Sequence, residues 1–309
     1  MPQMEKILEA IHCYFSFQQD AERTIECNPD DLDRTKVKNL LKAGCNRLSI
    51  GIQSFQEKDL ELMRRSHNAA QGEKSVRLAS EEGFDNISMD LIYGIPGQTS
   101  AEWEENIDRA LSMPISHMSA YHLTFEPGTI FDHWRKKGKL APEPEEKSIQ
   151  QYRILREKML SAGFDHYELS NFSRGAYISR HNMLYWSGLP YLGLGPSAHS
   201  YNGEQRRWNK ASVKAYMEGI KTPNKIEEKE QLSNKEKYHD YLISSLRTAN
   251  GADLWHVETK YGLAFRTHLE KEAAIFIAAG SMSVSRGRLR IDPVQWLITD
   301  HILRALFMD

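Results

Sequence analysis

Short strand-like segments alternate with helical segments between residues 23 and 170, and this alternation constrains the fold more than any other feature. The predicted strands lie at residues 23–27, 47–53, 87–92, 117–124 and 167–170. Helical periodicity lies between them, at residues 33–43, 57–63, 70–82, 100–113 and 143–162. Such alternation is typical of a parallel sheet covered by helices. Five strands are too few for a closed eight-stranded barrel, so we expect an α/β partial barrel or open sheet.

Polar side chains stand near the ends of three predicted strands. Glu26, Gln53 and Asp90 occupy these positions, and the carboxyl ends of parallel strands meet at one edge of a sheet. Arg65 follows in a loop and is expected to pair with a carboxylate on a ligand at that edge. Carboxylates suit ribose hydroxyls or an ammonium group, so the set predicts a nucleoside–amino-acid ligand. A buried aspartate that caps a loop is the alternative for Asp90 taken alone.

The pattern changes after residue 170. Residues 175–208 are rich in glycine, aromatic residues and histidine and predict loops, and residues 221–234 are charged and predict a linker. Helical segments near residues 235–248, 252–261, 266–279 and 293–307, with a hairpin turn at 285–288, follow the linker. We therefore predict one domain over residues 1–220 and a small winged-helix-like domain over residues 235–309.

Composition argues against nucleic acid or a membrane as the main partner. The net charge is −2, so no overall electrostatic attraction to nucleic acid is expected. Arg286, Arg288 and Arg290 share one face of the predicted wing, where an edge that resists aggregation explains them as well. No apolar run approaches the length of a transmembrane helix, and the first residues do not resemble a signal peptide. We expect a cytoplasmic protein without stable membrane insertion.

The three cysteines do not form a recognisable framework. Cys13, Cys27 and Cys45 lie far apart in the sequence, and an odd number argues against a set of disulfides. Their spacing also excludes a short metal-binding motif. We expect all three to be buried free thiols.

Several motifs, in order along the chain, resemble those of the radical SAM proteins. The subgroup is the one that contains oxygen-independent coproporphyrinogen III oxidase and the haem chaperone HemW. The matching segments are Glu26-Cys27-Asn28-Pro29, residues 46–55, Arg65-Ser66-His67, and residues 90–99, 117–121, 167–172 and 192–200. The resemblance implies a partial (β/α)6-type barrel with S-adenosylmethionine and a [4Fe–4S] cluster as cofactors.

The same resemblance assigns roles to residues of the predicted rim. It implies the following contacts to S-adenosylmethionine: Gln53 and Asp90 to the ribose, Arg65 to the carboxylate, Glu26 to the amino group, and Ile92 and the backbone at Gly94 to the adenine.

A second motif favours the HemW branch over the oxidase. His181-Asn182-Met183-Leu184-Tyr185-Trp186 resembles a signature in which the histidine is associated with haem binding. We expect His181 to ligate or neighbour the haem iron, with Tyr185 and Trp186 against the porphyrin, because a neutral imidazole ligates iron. A packed loop whose histidine is only hydrogen-bonded is the alternative. His199 is the next candidate for the iron.

One family motif is not found in this sequence, the Cys-x-x-x-Cys-x-x-Cys loop that holds the cluster. The sequence begins where the following helix would lie, so we expect either a shortened chain or a degenerate relative, without the first two strands of the barrel. The strand at residues 23–27 would then be an open edge that promotes self-association. Without the cluster cysteines we expect no reductive cleavage of S-adenosylmethionine.

The sequence thus favours a haem-handling function of the HemW type. Its expected ligand is haem or a porphyrin, and its expected partners are apoproteins that receive haem. Decarboxylation of coproporphyrinogen III, or a cluster-free scaffold without catalysis, are the alternatives. Nucleic acid is not an expected partner.

Overall fold

Residues 2–220 and 226–308 are described by a computed structural model of the chain. The chain divides into two units, Met1–Ile178 and Ser179–Asp309. The boundary lies about forty residues before the end predicted for the first domain, because strands within residues 199–209 pair with a strand of the second unit.

The N-terminal unit alternates helices and strands as the sequence predicts. Its helices are α1 (Pro2–Tyr14), α2 (Arg34–Lys42), α3 (Glu57–Leu62), α4 (Ala69–Glu81), α5 (Ser100–Leu111), α6 (Ile130–Lys136) and α7 (Glu145–Ser161). Its strands are β1 (Thr24–Cys27), β2 (Arg47–Gln53), β3 (Ile87–Tyr93), β4 (His117–His122), β5 (Asp165–Glu168) and β6 (Asn171–Ser173).

These strands form a six-stranded sheet in the order β1-β2-β3-β4-β6-β5. The first four are parallel, whereas β6 is antiparallel to both of its neighbours. The prediction of five neighbouring parallel strands is therefore wrong at its last member. Residues 169 and 170 form a turn, so the chain reverses and inserts the short β6 beside β4.

The two faces of this sheet differ in polarity. The apolar face of β2 to β4 carries side chains that are almost fully buried, namely Leu48, Ile50, Ile52, Met89, Leu91, Met118 and Ala120. Helices α4, α5 and α7 bury large apolar side chains too, with Val76, Trp103, Ile107, Tyr152 and Leu155 among them. Full burial of one large apolar side chain contributes about 1.5–3 kcal/mol, which makes this layer the main source of stability in the unit. Most residues at the alternating positions of the same strands are polar, and they form the candidate site.

At the open side of the sheet, β1 pairs with β2 and has no second neighbour among residues 2–220 and 226–308. Its side chains are half-buried, except that Glu26 is exposed. Self-association through this edge stays a prediction.

The C-terminal unit contains shorter elements. Its helices are α8 (Arg180–Trp186), α9 (Val213–Gly219), α10 (Asn234–Ser245), α11 (Leu254–Tyr261), α12 (Leu263–Ala278) and α13 (Thr299–Leu306). Its strands are β7 (His199–Tyr201), β8 (Gln205–Asn209), β9 (Glu227–Gln231), β10 (Ala252–Asp253), β11 (Met282–Ser285) and β12 (Arg288–Ile291).

Two sequence predictions need correction in this unit. Residues 175–208 are not only loops, since they include α8, β7 and part of β8. Of the predicted linker, residues 221–225 lie outside the described residues, whereas 227–231 form β9 at the edge of the sheet β7-β8-β9. Low apolar content misled the prediction, because an edge strand can be held by charges. Glu227 pairs with Arg207 at 3.5 Å, and Glu230 with Arg206 at 3.5 Å.

The winged-helix-like arrangement has three helices, α10 to α12, followed by the hairpin β11–β12 and then α13. Strand β10 joins the hairpin in the antiparallel order β10-β12-β11. Of the wing arginines, Arg288 pairs with Asp253 at 3.1 Å and Arg290 donates from Nε to the Ala249 carbonyl at 3.1 Å. No helix in the described part of the chain combines the length and apolar character needed to cross a membrane.

Candidate functional site

The polar face of the parallel strands brings the predicted rim residues together. In register, Glu26 pairs with Ser49 and Asp90 with Gly51, and paired residues of parallel strands point to the same face. Ser49 donates from Oγ to both carboxylate oxygens of Asp90, at 3.1 and 3.2 Å. Glu26 and Asp90 therefore share one face, as predicted from their strand-end positions.

Gln53 reaches this face through a bulge. The register between β2 and β3 shifts after Gly51, and Gln53 adopts a left-handed backbone with φ of +68°. As a result its Nε2 lies 2.8 Å from the position that a Cβ on Gly51 would occupy. Arg65 Nη2 lies 3.3 Å from the same position. A Cβ at this position would force the Gln53 side chain to shift and would crowd the Arg65 guanidinium.

Arg65 is held in place by neutral acceptors. Its Nη2 donates to Asn28 Oδ1 at 2.7 Å and to the Gly51 carbonyl at 3.2 Å. Arg65 forms no ion pair within residues 2–220 and 226–308, and its Nε is buried without a hydrogen-bond partner there. A fixed guanidinium that is hydrogen-bonded to neutral acceptors suits an anionic ligand group such as a carboxylate.

The carboxyl group of Asp90 is electrostatically perturbed. Burial raises its pKa to about 6, and the nearby Glu26 adds to the increase. Hydrogen bonds from Ser119 and Ser49, together with the charge of Arg47, oppose the shift only in part. A carboxyl group with a raised pKa and no direct cation is costly to the fold, as is common for groups kept to bind a ligand.

The loop after β3 is rigidly connected to its surroundings. A Cβ on Gly94, whose φ is +72°, would lie 2.5 Å from the Nε2 atom of His122, so the backbone passes directly over that ring. The Gly94 N–H donates to Gln151 Oε1 at 2.9 Å, and Lys58 Nζ donates to the Gly97 carbonyl at 3.1 Å. The loop thus presents an ordered backbone where the resemblance places an adenine.

Ile92 completes the set of predicted rim residues. It lies two residues after Asp90 in β3, hence on the same face, and is half-buried. It can therefore offer an apolar surface beside the polar groups.

Sequence reasoning missed a buried network on the same face. His117 Nδ1 lies 2.7 Å from Ser88 Oγ and 3.3 Å from Arg47 Nη2, and its Nε2 lies 2.7 Å from the Tyr167 hydroxyl. Burial and the positive charge of Arg47 hold the pKa of His117 well below its usual range, so the ring is neutral. Because Arg47 can only donate, Nδ1 accepts and Nε2 carries the hydrogen. Polar residues at every second position of β2, β3 and β4 were the available signal.

The cysteines do not form a cluster site. All three are free, but Cys13 is exposed on α1 and Cys27 is half-buried, so the prediction that all are buried is confirmed only for Cys45. Burial raises the pKa of Cys27 to about 11 and also raises that of Cys45, which disfavours the thiolate form that iron requires. Within the described ranges no three His, Cys, Asp or Glu side chains come together as metal ligands. The described residues therefore do not fit a [4Fe–4S] cluster.

The predicted haem segment forms a short helix. Ser179 caps α8 by accepting from the Asn182 N–H at 3.3 Å. His181 is exposed and meets the edge of Tyr185 one turn later, with ring centroids 4.9 Å apart and planes at 86°. Tyr185 in turn contacts Tyr191 at 4.7 Å. The structure thus brings His181 and Tyr185 together, and it holds them on a helix rather than a loop.

Two further predicted residues lie near this helix in sequence. Trp186 is the last residue of α8 and is half-buried. His199 lies in β7 opposite Trp208, with the two rings stacked at a centroid distance of 6.1 Å. The roles of these residues in haem binding stay predictions.

Two sequence families match the chain. The model described as "Radical SAM superfamily" matches residues 1–110, and that described as "HemN C-terminal domain" matches residues 232–297. The first range contains β1 to β3 and the rim residues, and the second contains α10 to α12 and the wing.

Full-length relatives match across both units. A Bacillus subtilis protein named heme chaperone HemW is 37% identical over 262 residues, covering 84% of this chain and 69% of the relative. A Lactococcus lactis protein of the same name is 29% identical over 307 residues, covering 99% and 81%. Among solved structures, coproporphyrinogen III oxidase from Escherichia coli matches with a TM-score of 0.82 and 21% identity, covering 99% of this chain and 74% of the other. This structural likeness establishes the fold.

Proposed function

The chain belongs to the HemW group of the radical SAM superfamily, and from this membership we propose that it binds haem and delivers it to apoproteins. The Bacillus subtilis and Lactococcus lactis relatives are both named as haem chaperones. The observation that supports the proposal in this chain is the exposed imidazole of His181 beside the ring of Tyr185. An imidazole supplies an iron ligand, and an adjacent aromatic ring supplies a surface for the porphyrin.

Exposure of this segment suits a carrier rather than a permanent haem protein. Tyr185 is 42% exposed and Leu184 43% exposed, although both are large apolar or aromatic residues. A ligand bound at such a surface remains accessible to a receiving protein, and it is desolvated less than in a closed pocket. Release to an apoprotein then needs no opening of the fold.

The rim of the N-terminal unit is proposed to hold S-adenosylmethionine. Asp90 and Gln53 would take the ribose hydroxyls, Arg65 the carboxylate and Glu26 the amino group. The neutral hydrogen-bond partners of Arg65 and the close approach of Gln53 and Arg65 at Gly51 support this proposal. Redox chemistry of this cofactor depends on a [4Fe–4S] cluster, which the described residues do not fit. Nothing in the described ranges favours the oxidase over the chaperone.

Haem titration tests the proposal. Ferric haem added to the protein should produce a shifted Soret band with saturable binding. His181→Ala should weaken binding by about tenfold or more and alter the band, because an iron ligand is lost. His301→Ala is the matched control, since His301 is an exposed histidine of the same unit on α13.

Two results would contradict the proposal. Absence of saturable haem binding by the unchanged protein would refute haem handling as such. Equal affinity for haem and identical spectra for His181→Ala and His301→Ala would refute His181 as an iron ligand. His199 would then be the next candidate for this role.

A further inference from the structure

A cavity of about 570 Å³ lies within the C-terminal unit, beside the helix that carries the haem motif. Tyr185 and Trp186 of α8 line it, together with residues of α10, α11 and the wing. Its volume falls within the range of about 300–1,000 Å³ that is typical of small-molecule sites. The haem motif implies a role for Tyr185 and Trp186, whereas the residues of α10, α11 and the wing that line the cavity have no role from the motifs or the family matches.

The cavity is lined by an unusual number of aromatic rings. Tyr185, Tyr191 and Tyr201 form one group, with neighbouring centroids 4.7 and 6.3 Å apart. Tyr241 and Tyr261 form a second group, with centroids 5.9 Å apart. Rings arranged around an open space offer a large apolar contact area with few rotatable bonds, which suits a flat, rigid, conjugated ligand.

The hydroxyl groups of the second tyrosine group are already engaged. Tyr241 accepts from the Asp253 N–H at 2.8 Å, and Tyr261 donates to the Lys237 carbonyl at 3.2 Å. Their orientation is therefore fixed by the fold. Tyr241 is half-buried and Tyr261 is almost fully buried, so Tyr261 acts mainly as a support for the ring of Tyr241. This preorganisation reduces the entropy lost on binding.

His256 adds an imidazole to the same cavity. It lies on α11 with its ring 4.7 Å from that of Tyr241, and neither ring nitrogen has a hydrogen-bond partner in the described part of the chain. Burial lowers the pKa of His256, and the positive charges of Lys260 and Arg288 lower it further. A neutral imidazole with free nitrogens is the form that ligates iron.

Lys260 provides a positive charge that the fold does not use. Of the basic side chains in the cavity, Arg206 and Lys237 pair with carboxylates and Arg288 pairs with Asp253. Lys260 has no ion pair among residues 2–220 and 226–308, and its Nζ lies 5.7 Å from the ring centroid of Tyr261. It is thus available for an acidic group at the periphery of a ligand.

We propose that this cavity holds the tetrapyrrole plane of haem, with His256 as the iron ligand from the cavity and Lys260 as the partner of a propionate. The inference rests on the proposed haem function and extends it from one motif to a formed site. Tyr185 belongs to both, because it contacts His181 and also lines the cavity.

Binding of the porphyrin plane is distinguished from ligation of the iron by two probes, ferric haem and metal-free protoporphyrin IX. Ser244, a half-buried cavity residue on α10, is replaced by tryptophan to fill the space, and exposed Lys235 on the same helix is replaced by tryptophan as the control. Ser244→Trp should weaken both ligands by about tenfold or more, whereas Lys235→Trp should bind both as the unchanged protein does.

Single-residue variants test the two polar roles. His256→Ala should weaken haem by about tenfold and change its spectrum while leaving protoporphyrin IX within about twofold. Lys260→Glu should weaken both ligands by about fivefold or more, with Lys235→Glu as the equal charge change outside the cavity. Lys260 is exposed, so we expect Lys260→Glu to retain the fold. This variant therefore tests the cavity even if Ser244→Trp fails to fold.

The outcomes distinguish the inference from the proposed function. If the unchanged protein binds neither probe, the haem function is refuted. If it binds haem, but Lys260→Glu and Ser244→Trp bind both probes like their Lys235 controls, the cavity assignment is overturned and haem binding stands. Unchanged haem spectra in His256→Ala would remove His256 as the iron ligand.

Discussion

Replacing Asp90 by asparagine should stabilise the protein at neutral pH. The carboxyl group lies among Ser49, Ser119 and the polar face of the sheet, and it forms no ion pair with a residue that the structure describes. Burial therefore penalises its ionised form, which raises its pKa to about 6. Asparagine has nearly the same shape and can still accept from Ser49, but it carries no charge to desolvate.

The expected gain in stability follows from the difference between the pKa of Asp90 in the unfolded state and its pKa in the folded state. The pKa of Asp90 rises from 3.8 to about 6 on folding. A shift of this size corresponds to about 3 kcal/mol, at roughly 1.4 kcal/mol for each pKa unit. The pKa of Asp90 is higher in the folded state than in the unfolded state. The stability that protonated Asp90 contributes to the folded state is therefore fully present below pH 3.8 and is lost as the pH rises through about 6. The advantage of Asp90→Asn should accordingly grow from about pH 4 and level off above about pH 7.

Denaturant unfolding between pH 4.5 and 8 measures this difference, and hydrogen exchange of the β3 amides localises it. Asp165→Asn is the control, because Asp165 lies at the exposed start of β5 and its substitution should change stability by less than about 0.5 kcal/mol. A difference between Asp90→Asn and the unchanged protein that is constant over the pH range would refute the reasoning. So would a difference that falls as the pH rises.

Two further predictions concern the loop after β3 and the cysteines. Thr99→Ala should lower the free energy of unfolding in denaturant by about 1 kcal/mol, because Thr99 and Glu102 form a capping box at the start of α5. Thr129→Ala is the comparison, since Thr129 caps α6 without such a box. A loss for Thr99→Ala that is equal to or smaller than the loss for Thr129→Ala would contradict this explanation. Anaerobic reconstitution of this 309-residue polypeptide with iron and sulfide should yield no [4Fe–4S] EPR signal and no 5′-deoxyadenosine, since Cys13, Cys27 and Cys45 do not converge; stoichiometric deoxyadenosine would overturn this.

The sequence predicts the parallel part of the fold well because two periodicities coincide there. Apolar residues at every second position identify β2 to β4, and polar residues at the intervening positions place Asp90 on the opposite face. Strand-end position then suffices to bring Glu26 to the same face. These features depend on local pattern and on the general geometry of parallel sheets, so they are readable from one chain.

Other features depend on contacts that no local pattern records. Strand β6 is three residues long, and its place beside β4 follows from a turn at residues 169 and 170. Strand β9 consists of charged residues whose partners, Arg206 and Arg207, lie twenty or more residues earlier. The cavity of the C-terminal unit joins rings from Tyr185 to Tyr261 across helices and loops. Strand β6, strand β9 and the cavity all depend on contacts between segments that are distant in sequence, and a local pattern cannot predict such contacts.

The two candidate sites place different physical demands on the chain. The rim fixes its groups before any ligand arrives: Arg65 is clamped by Asn28, and Asp90 is held by serines at a cost to stability. Such preorganisation favours a small polar ligand bound in one orientation. The α8 segment instead leaves His181 exposed and relies on aromatic contacts, which are less directional and bind a flat ligand that can leave again. The proposed haem-carrying role needs the second kind of site, so we expect the N-terminal rim to bind a ligand other than haem.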